Sequence, residues 1–597
     1  MLKRWNLRVW PSRLLLRYLV VAALFVFFVT NYTAWDHIAL LPARLSARGP
    51  HPIQKLMADA VARHEELLAK RSYDLETAAA RYRERRGRHP PPGFDRWFQA
   101  TVDHDAILVE DYFDRIYKDL APFWGLDREV LVNRANTWDW VVRVRNGIAN
   151  GDGNTTDRVP WLQLWTKLVD EFAVHLPDVD MPINYMDEPR LLVPHDEIAK
   201  LVEKEQKTRA MPPPNRVTSK YIGLAGVDAS HNRPYRARWY GTKNAYWNLA
   251  VAACGPDTPA YGVKAVKDFS APAEMPHDWQ PDYAYHGFIQ NWTASMDPCL
   301  QPHLRQLHGS FIEPLSLSTT KELIPLFGGS KLMLNNEILI PGAMYLTDDE
   351  FYSGGESHGP EWSQKRNGLV WRGDASGGRS RNTTWHHFQR HRLIDMLNHT
   401  TVSRMEARRM RAKTFELPSP SIYHSSRRAW GRVGSWLREF ADVGFVHLCP
   451  PNECDFLPQF FAETPSKPMS EQYEYKFLPD ADGNSFSARF RGFMRSTSLP
   501  LKATIYAEWH DDRLIPWLHF APLDNTFQDL YAVLEYLGDN DGPGDRAAAF
   551  MAQQGQEWAE RVLRREDMKL YVWRLLLEWA RLCDENRDTL GYVADLL

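Results

Sequence analysis

Residues 18–35, YLVVAALFVFFVTNYTAW, carry no charged side chain, and Lys3, Arg4, Arg8, Arg13 and Arg17 stand before them. A helix needs roughly 17 to 25 apolar residues to cross the hydrocarbon core of a bilayer, so this run constrains where everything after it can fold. Tyr32 and Trp35 lie where interfacial rings anchor a span. Cations before the run and none directly after it predict a cytosolic tail over 1–17, a signal anchor over 18–35 and a luminal body, the single-pass type II arrangement. A cleaved signal peptide is the competing reading, although no small-x-small cleavage site follows the run.

Other features agree with a luminal body. Sequons occur at Asn31, Asn154, Asn291, Asn382 and Asn398, of which Asn31 is too near the anchor to be a good acceptor. Five cysteines in an oxidising lumen allow bridges Cys254 to Cys299 and Cys449 to Cys454, with Cys583 left over. The spacing CPPNEC, with no His or Cys pair at ligand spacing beside it, argues against a zinc site, and no metal is expected. The 72 basic and 75 acidic residues give a net charge of -3, which excludes a dedicated nucleic-acid binder.

With 597 residues the chain exceeds one ordinary core. Residues 36–110 include LMADAVARHEELLAKRSYDLETAAARYRERRGRHPPPGFDRW, rich in helix formers and charge and stopped by three prolines and Gly93, which predicts a solvated helical stem. From residue 111 short apolar strands alternate with helical stretches, the pattern of α/β folds with parallel sheets. The polar, glycine-rich stretch YLTDDEFYSGGESHGPEWSQKRNG separates two α/β lobes, 111–345 and 346–597. Near the C-terminus Trp558, Val562, Met568, Val572, Leu575 and Trp579 keep helical spacing, which predicts one long helix packing across both lobes.

Three stretches carry chemistry. In LVWRGDASGGRSRN a short strand precedes glycines and arginines, and a helix with Thr383 or Thr384 as N-cap follows, so backbone N–H groups could cradle an anion. Its spacing fits neither the dinucleotide fingerprint nor a P-loop, and a basic surface turn is the alternative. In NSFSARFRGFMRSTSLPLKATIY, Arg489, Arg491 and Arg495 alternate with apolar residues and Ser496, Thr497, Ser498 and Lys502 follow, a set able to grip a diphosphate. In INYMDEPR, Asp187 and Glu188 end an apolar strand, where a carboxylate faces the crevice of an α/β sheet and can act as a general base. TDDE and HDDR resemble manganese-binding Asp-x-Asp elements, but such pairs are common by chance.

These stretches, with RRGRHPPPGFDRW, resemble the fungal capsule-associated branch of family 90 glycosyltransferases, related to protein O-glucosyl- and O-xylosyltransferases, from about Tyr82 to the C-terminus. The resemblance implies two Rossmann-like lobes of the GT-B type and an inverting transfer from a UDP-sugar without a metal cofactor. It implies Asp187 as the base, with Met186 and Glu188 standing where animal members have Arg and an aromatic residue. Arg372 and Gly373 match the family's Arg-Gly turn, and Asp374 takes the place of its donor-binding serine. Arg379 or Arg381 corresponds to the nucleotide-gripping arginine, and Arg491, Ser496 and Ser498 to the second basic cluster; Lys502 is added on chemistry alone. The expected protein is a Golgi membrane transferase moving xylose, or glucose, to a hydroxyl of a glycan or glycoprotein, with β-1,2-xylosyl transfer to mannose-containing glycans the leading case. An inactive sugar-binding relative serving as a scaffold is the alternative, favoured by Asp374. A glycoside hydrolase would need two facing carboxylates, whereas neighbours on a strand point to opposite faces.

Overall fold

The computed structural model describes residues 50–153, 160–224, 234–241, 246–273, 275–276, 279–315, 318–356, 358–423, 425–449 and 453–597. The expected tail, the anchor at 18–35, residues 36–49, Asn31 and Asn154 lie outside the described residues. Among the described residues no helix is long and apolar enough to cross a membrane.

Helices α1 (Pro52–Leu68), α2 (Leu75–Arg86) and α3 (Phe94–Asp103) open the described chain. Asp74 caps α2, accepting from the Thr77 backbone N–H at 2.7 Å, and Gly87 ends it with φ 63, a conformation glycine adopts without strain. These helices are not the solvated stem expected over 36–110. Ile53, Leu56 and Ala60 of α1 enter the core, and Tyr82, Phe94 and Trp97 are fully buried. Lys55, Asp59, Glu65, Glu66 and Glu84 stay exposed, but Arg86 is buried and meets Glu110 at 2.7 Å, and the Tyr82 hydroxyl donates to Glu578 at 2.7 Å. The charges thus cover the outer face of helices whose apolar face joins the core, and Pro52–Leu597 form one compact unit.

The next section does not carry the expected parallel sheet. After α4 (Asp114–Trp124) and α5 (Arg128–Asn136), strands β1 (Val141–Arg145), β2 (Ile148–Asp152) and β3 (Val179–Pro182) form an antiparallel sheet in the order β2-β1-β3, with α6 (Trp161–Asp170) packed on β1 and β2. Asn146 and Gly147, both at positive φ, make the tight β1–β2 turn, which an Asn-Gly pair favours. Parallel pairing here is limited to short contacts such as Phe327–Gly328 with Ile338–Leu339, and the bridge from Ile183 to Phe327.

The second half holds the parallel sheet. Strand β4 (Arg366–Gly373) leads to α7 (Gln389–Leu397) and β5 (Ala441–Phe445); β6 (Tyr475–Ala481) leads through α8 (Phe490–Arg495) to β7 (Leu499–Ala503) and β8 (Ala521–Pro522). All pairs are parallel, in the order β5-β4-β6-β7-β8. The chain steps outward from β4 to β5 and then returns to the other side of β4 as β6. Connections therefore leave the carboxyl ends of β4 and β6 in opposite directions, and a crevice opens between them. The helix expected directly after the glycine turn starts later: residues 385–387 are a 3-10 turn, and Thr384 makes no side-chain cap. Trp385, Phe388, Leu393 and Met396 are nevertheless all buried.

After α9 (Leu530–Leu537), the single C-terminal helix expected is two, α10 (Pro543–Val562) and α11 (Arg565–Cys583). The break at Leu563 and Arg564 is closed by reciprocal bonds between Arg564 and Asp567. Helix α10 packs on β7, whereas α11 crosses to α3, α4, α5, α6 and β3. Trp558 and Trp579 consequently belong to one core that also takes in Phe486 and Phe490. The fold is mixed α/β with one parallel sheet.

Candidate active site

A cleft of about 1430 Å³ opens at the carboxyl ends of β4, β5 and β6. Arg372, Gly373 and Asp374 at the end of β4 and His447 after β5 form part of its wall; Phe486, Ser487 and Arg489, just before α8, form its floor. Tyr352, Gly354, Gly355, Glu356 and His358 line it as well.

The floor carries the decisive chemistry. Arg489 is 7% exposed; its Nη1 donates to the Arg372 carbonyl, and its Nη2 has no hydrogen-bond partner among the described residues. The Ser487 hydroxyl is likewise buried and unpartnered. Arg390 and Arg489 both lie against the Trp371 ring, 5.6 and 5.3 Å from its centroid. Arg390 also donates to the Asp374 carbonyl at 3.1 Å and the Ser376 hydroxyl at 2.7 Å. Burial pushes both guanidiniums down, Arg390 to about 10 with the Arg489 charge adding to the shift, while Asp480 and Asp374 oppose it at Arg489. A Cβ on Gly373 would stand 3.0 Å from the Trp371 ring and 3.7 Å from Arg489 Nη2, so the bare backbone leaves room beside this buried nitrogen. A buried donor without a partner costs about 1–3 kcal/mol, more when charged. An anion in the cleft would remove that cost.

The structure distributes the sequence-derived residues unequally. Arg372 lines the cleft, but its guanidinium is engaged with Asp442 at 2.6 Å and with main-chain carbonyls, tying β4 to β5. The glycine turn serves packing. A Cβ on Gly309 would fall 1.7 Å from the Gly377 carbonyl oxygen, and the N–H groups of Gly377 and Gly378 donate to Asn484. Arg379 donates to the Leu315 carbonyl at 3.0 Å, and Arg381 is exposed; neither lines the cleft. Gly309→Ala is expected to lower stability by about 1–3 kcal/mol through overpacking, measured as the midpoint of urea unfolding.

Arg491, Ser496, Ser498 and Lys502 also lie off the cleft lining. Arg491 donates to the Leu563 carbonyl at 2.8 Å and burial pushes it down to about 10. The Ser496 hydroxyl donates to Phe493 O, and that of Ser498 to Tyr475 O, both at 2.7 Å. Lys502 is buried between Asp480 at 3.0 Å and Glu508 at 3.3 Å; these carboxylates outweigh desolvation and raise its pKa. Burial is the reason: basic side chains on a segment packed on both faces are neutralised locally.

Asp187 follows β3 in a bend shaped by Asn184, whose amide donates to the Glu188 carbonyl at 3.0 Å and whose Oδ1 accepts from the Met186 N–H at 3.3 Å. Asp187 is half-buried and Glu188 buried. Tyr352, on the cleft wall, has its pKa raised by burial first and then by the charges of Asp349, Asp187 and Asp374. Asp187 and Glu188 are themselves not among the residues that line the cleft. Among the described residues no group of three or more His, Cys, Asp or Glu is arranged to hold a metal.

Residues 460–589 match the sequence model "Glycosyl transferase family 90". The match covers the cleft floor. It includes Ser487, Arg489 and Arg495, while Asp187 and the β4 turn precede it. O-glucosyltransferase rumi of Drosophila pseudoobscura pseudoobscura is 31% identical over 119 residues, which is 19% of this chain and 28% of that protein. The chain thus spans under a third of that relative's length, and both findings support a glycosyltransferase family.

Ser487, Arg390 and His447 were not singled out from sequence. The one available signal was SFSARF, in which Ser487 and Arg489 alternate with Phe486, Ala488 and Phe490. Cys254 is bonded to Cys299 and Cys449 to Cys454, with Cys583 free and buried. Asn291 and Asn382 are exposed; Asn398 is half-buried and caps a helix through Oδ1, leaving its amide nitrogen out of those bonds.

Proposed function

We propose that this chain is an inverting glycosyltransferase that moves xylose, or glucose, from a UDP-sugar to a hydroxyl of a glycan or glycoprotein, with a mannose-containing glycan and a β-1,2 linkage as the leading case. The observation that carries the reading is the unpartnered, buried Arg489 Nη2 beside the Ser487 hydroxyl, at a sheet crevice and inside the segment that matches family 90. In this reading the second half binds the donor and the first half presents the acceptor, as in a GT-B enzyme. Asp187 takes the proton from the acceptor hydroxyl as its oxygen attacks the anomeric carbon. The bond to the diphosphate breaks with its electron pair leaving on the phosphate oxygen. Arg489, Ser487 and Arg495 stabilise that charge, which grows in the transition state. A divalent metal is not required. The anchor at 18–35 would place the enzyme in the Golgi membrane with its body in the lumen.

The test incubates purified full-length protein with a panel of UDP-sugars, with and without mannosides and with and without a chelator. No turnover of any donor sinks the transferase reading, and loss of turnover with chelator sinks the metal-free one. Asp187→Asn is expected to lower transfer by about 10²–10⁴-fold with an unchanged unfolding midpoint. Full activity in a folded variant would remove Asp187 as the base.

A further inference from the structure

We infer that Glu337 is a positioning residue: from inside the first half it clamps the exit of the bend that carries Asp187 and so sets where that carboxylate can reach. This rests on the reading of Asp187 as the base.

Glu337 is 0% exposed, stands just before the short strand Ile338–Leu339 and does not line the cleft. Its Oε1 accepts the backbone N–H groups of two consecutive residues, Arg190 and, at 2.9 Å, Leu191. In an extended strand neighbouring N–H groups point to opposite sides, so their convergence on one oxygen means that the chain turns at Arg190. Consecutive N–H groups aimed inward form an anion-binding concavity, and Glu337 fills this one from within. Pro189, directly before it, has a fixed φ and no N–H of its own.

The clamp is itself held. Lys331 Nζ donates to the Glu337 carbonyl at 2.8 Å and to Asp119 of α4 at 2.7 Å, and Asp119 accepts the Leu339 N–H at 2.9 Å. Asn184 fixes the entry to the bend: its N–H donates to the Phe327 carbonyl at 2.8 Å, and its side chain holds Met186 and Glu188. A Cβ on Gly328 would stand 3.6 Å from Asn184 and 3.8 Å from Glu337, so both clamps close on the strand Phe327–Gly328. Asp187 lies between them, and its carboxyl is placed only as precisely as they are. The Leu191 carbonyl also accepts from Asn335 at 2.9 Å, and the Arg190 carbonyl from the Thr320 N–H at 2.8 Å, so loss of Glu337 loosens the bend without unfolding it. Glu337 Oε2 has no hydrogen-bond partner among the described residues. Oε1 therefore does the positioning, which the amide oxygen of glutamine can reproduce and the shorter aspartate cannot.

The experiment compares full-length wild type with Glu337→Gln, Glu337→Asp, Asp187→Asn and the double variant Glu337→Asp with Asp187→Asn, using the best donor and acceptor of the panel above. Expected in Glu337→Asp is a kcat about 10- to 10²-fold lower, with donor KM and UDP binding within about twofold of wild type; Glu337→Gln should keep kcat within about threefold. The double variant should be within about twofold of Asp187→Asn, because a residue that acts through Asp187 then has nothing left to position. Glu337→Ala takes the place of Glu337→Asp if the latter does not fold. Wild-type kcat in the folded truncated variant, an equal loss in Glu337→Gln, or multiplication of the two single losses in the double variant would each overturn the role of Glu337 while leaving Asp187 as the base. Full activity in Asp187→Asn overturns both.

Discussion

Arg489→Met is expected to lower kcat/KM for the proposed sugar donor by about 10²–10³-fold and to weaken UDP binding, while the unfolding midpoint stays close to wild type. The size follows from the loss of one preorganised donor aimed at developing charge. Methionine keeps the apolar contact with Trp371 and Phe493, whose ring centroids lie 5.3 and 5.4 Å from the guanidinium carbon, so packing is largely retained. What disappears is the donor with no internal partner. Its removal takes away a cost in the empty protein and a contact in the liganded one. Arg489→Lys separates charge from geometry: an ammonium retains the charge but not the planar fork, so activity should recover only in part. The readout is donor kinetics together with UDP titration. Undiminished UDP binding in a folded Arg489→Met protein would show that the anion lies elsewhere.

The second large effect concerns stability. Arg574 on α11 is fully buried; its Nη2 contacts Glu110 at 2.7 and 3.0 Å, and its Nε donates to the Tyr117 hydroxyl at 2.9 Å. The Trp97 and Phe113 ring centroids stand 4.7 and 4.8 Å from the guanidinium carbon. Removing Arg574 leaves buried Glu110 with Arg86 as its remaining cation and takes a donor from the Tyr117 hydroxyl, so Arg574→Met should cost about 3 kcal/mol in urea unfolding. Glu110→Gln should cost less than Arg574→Met does, because the amide still accepts one bond. The double variant Glu110→Leu with Arg574→Met should recover only part of the loss, since Arg86, which also meets Glu110, stays buried with Asp114 as its remaining partner. A single variant within 1 kcal/mol of wild type, on the order of the exposed-pair value, would show the pair to be dispensable. Because α11 packs on α3, α4, α5 and α6, this pair also helps to hold the elements of the first half in place.

The two predictions show how differently the sequence exposes a core and a site. Trp558, Val562, Met568, Val572, Leu575 and Trp579 repeat at helical spacing, and all six are buried. The helix break between them was not visible, because Arg564 and Asp567 cap across positions that read as ordinary charged surface. The strand LVWRG was legible from its apolar run, and its parallel partners from the alternation of strands with helices. The antiparallel sheet was not anticipated, although the Asn146-Gly147 pair between VRVR and IANGD carried its signal. Residues 36–110 read as a solvated stem because composition counts charges without recording that Arg86 and Arg574 share Glu110.

For the cleft, the sequence by itself determined the chemical inventory: clustered arginines and hydroxyls at 484–502, a glycine turn after an apolar strand, and Asp187 beyond another strand. Only the tertiary structure decided which of these groups remain available. A buried cation must be neutralised nearby, so Lys502 goes to Asp480 and Glu508, and Arg372 to Asp442, while Arg489 alone among these three keeps an unpartnered nitrogen in the cleft. Glycine similarity to a phosphate loop could not reveal that Gly377 abuts Gly309, a contact set by residues 68 positions apart. Nor could it bring His447, beyond β5, to the carboxylate of Asp374 beyond β4; parallel pairing places those two strand ends side by side, and spacing along the chain does not encode that neighbourhood.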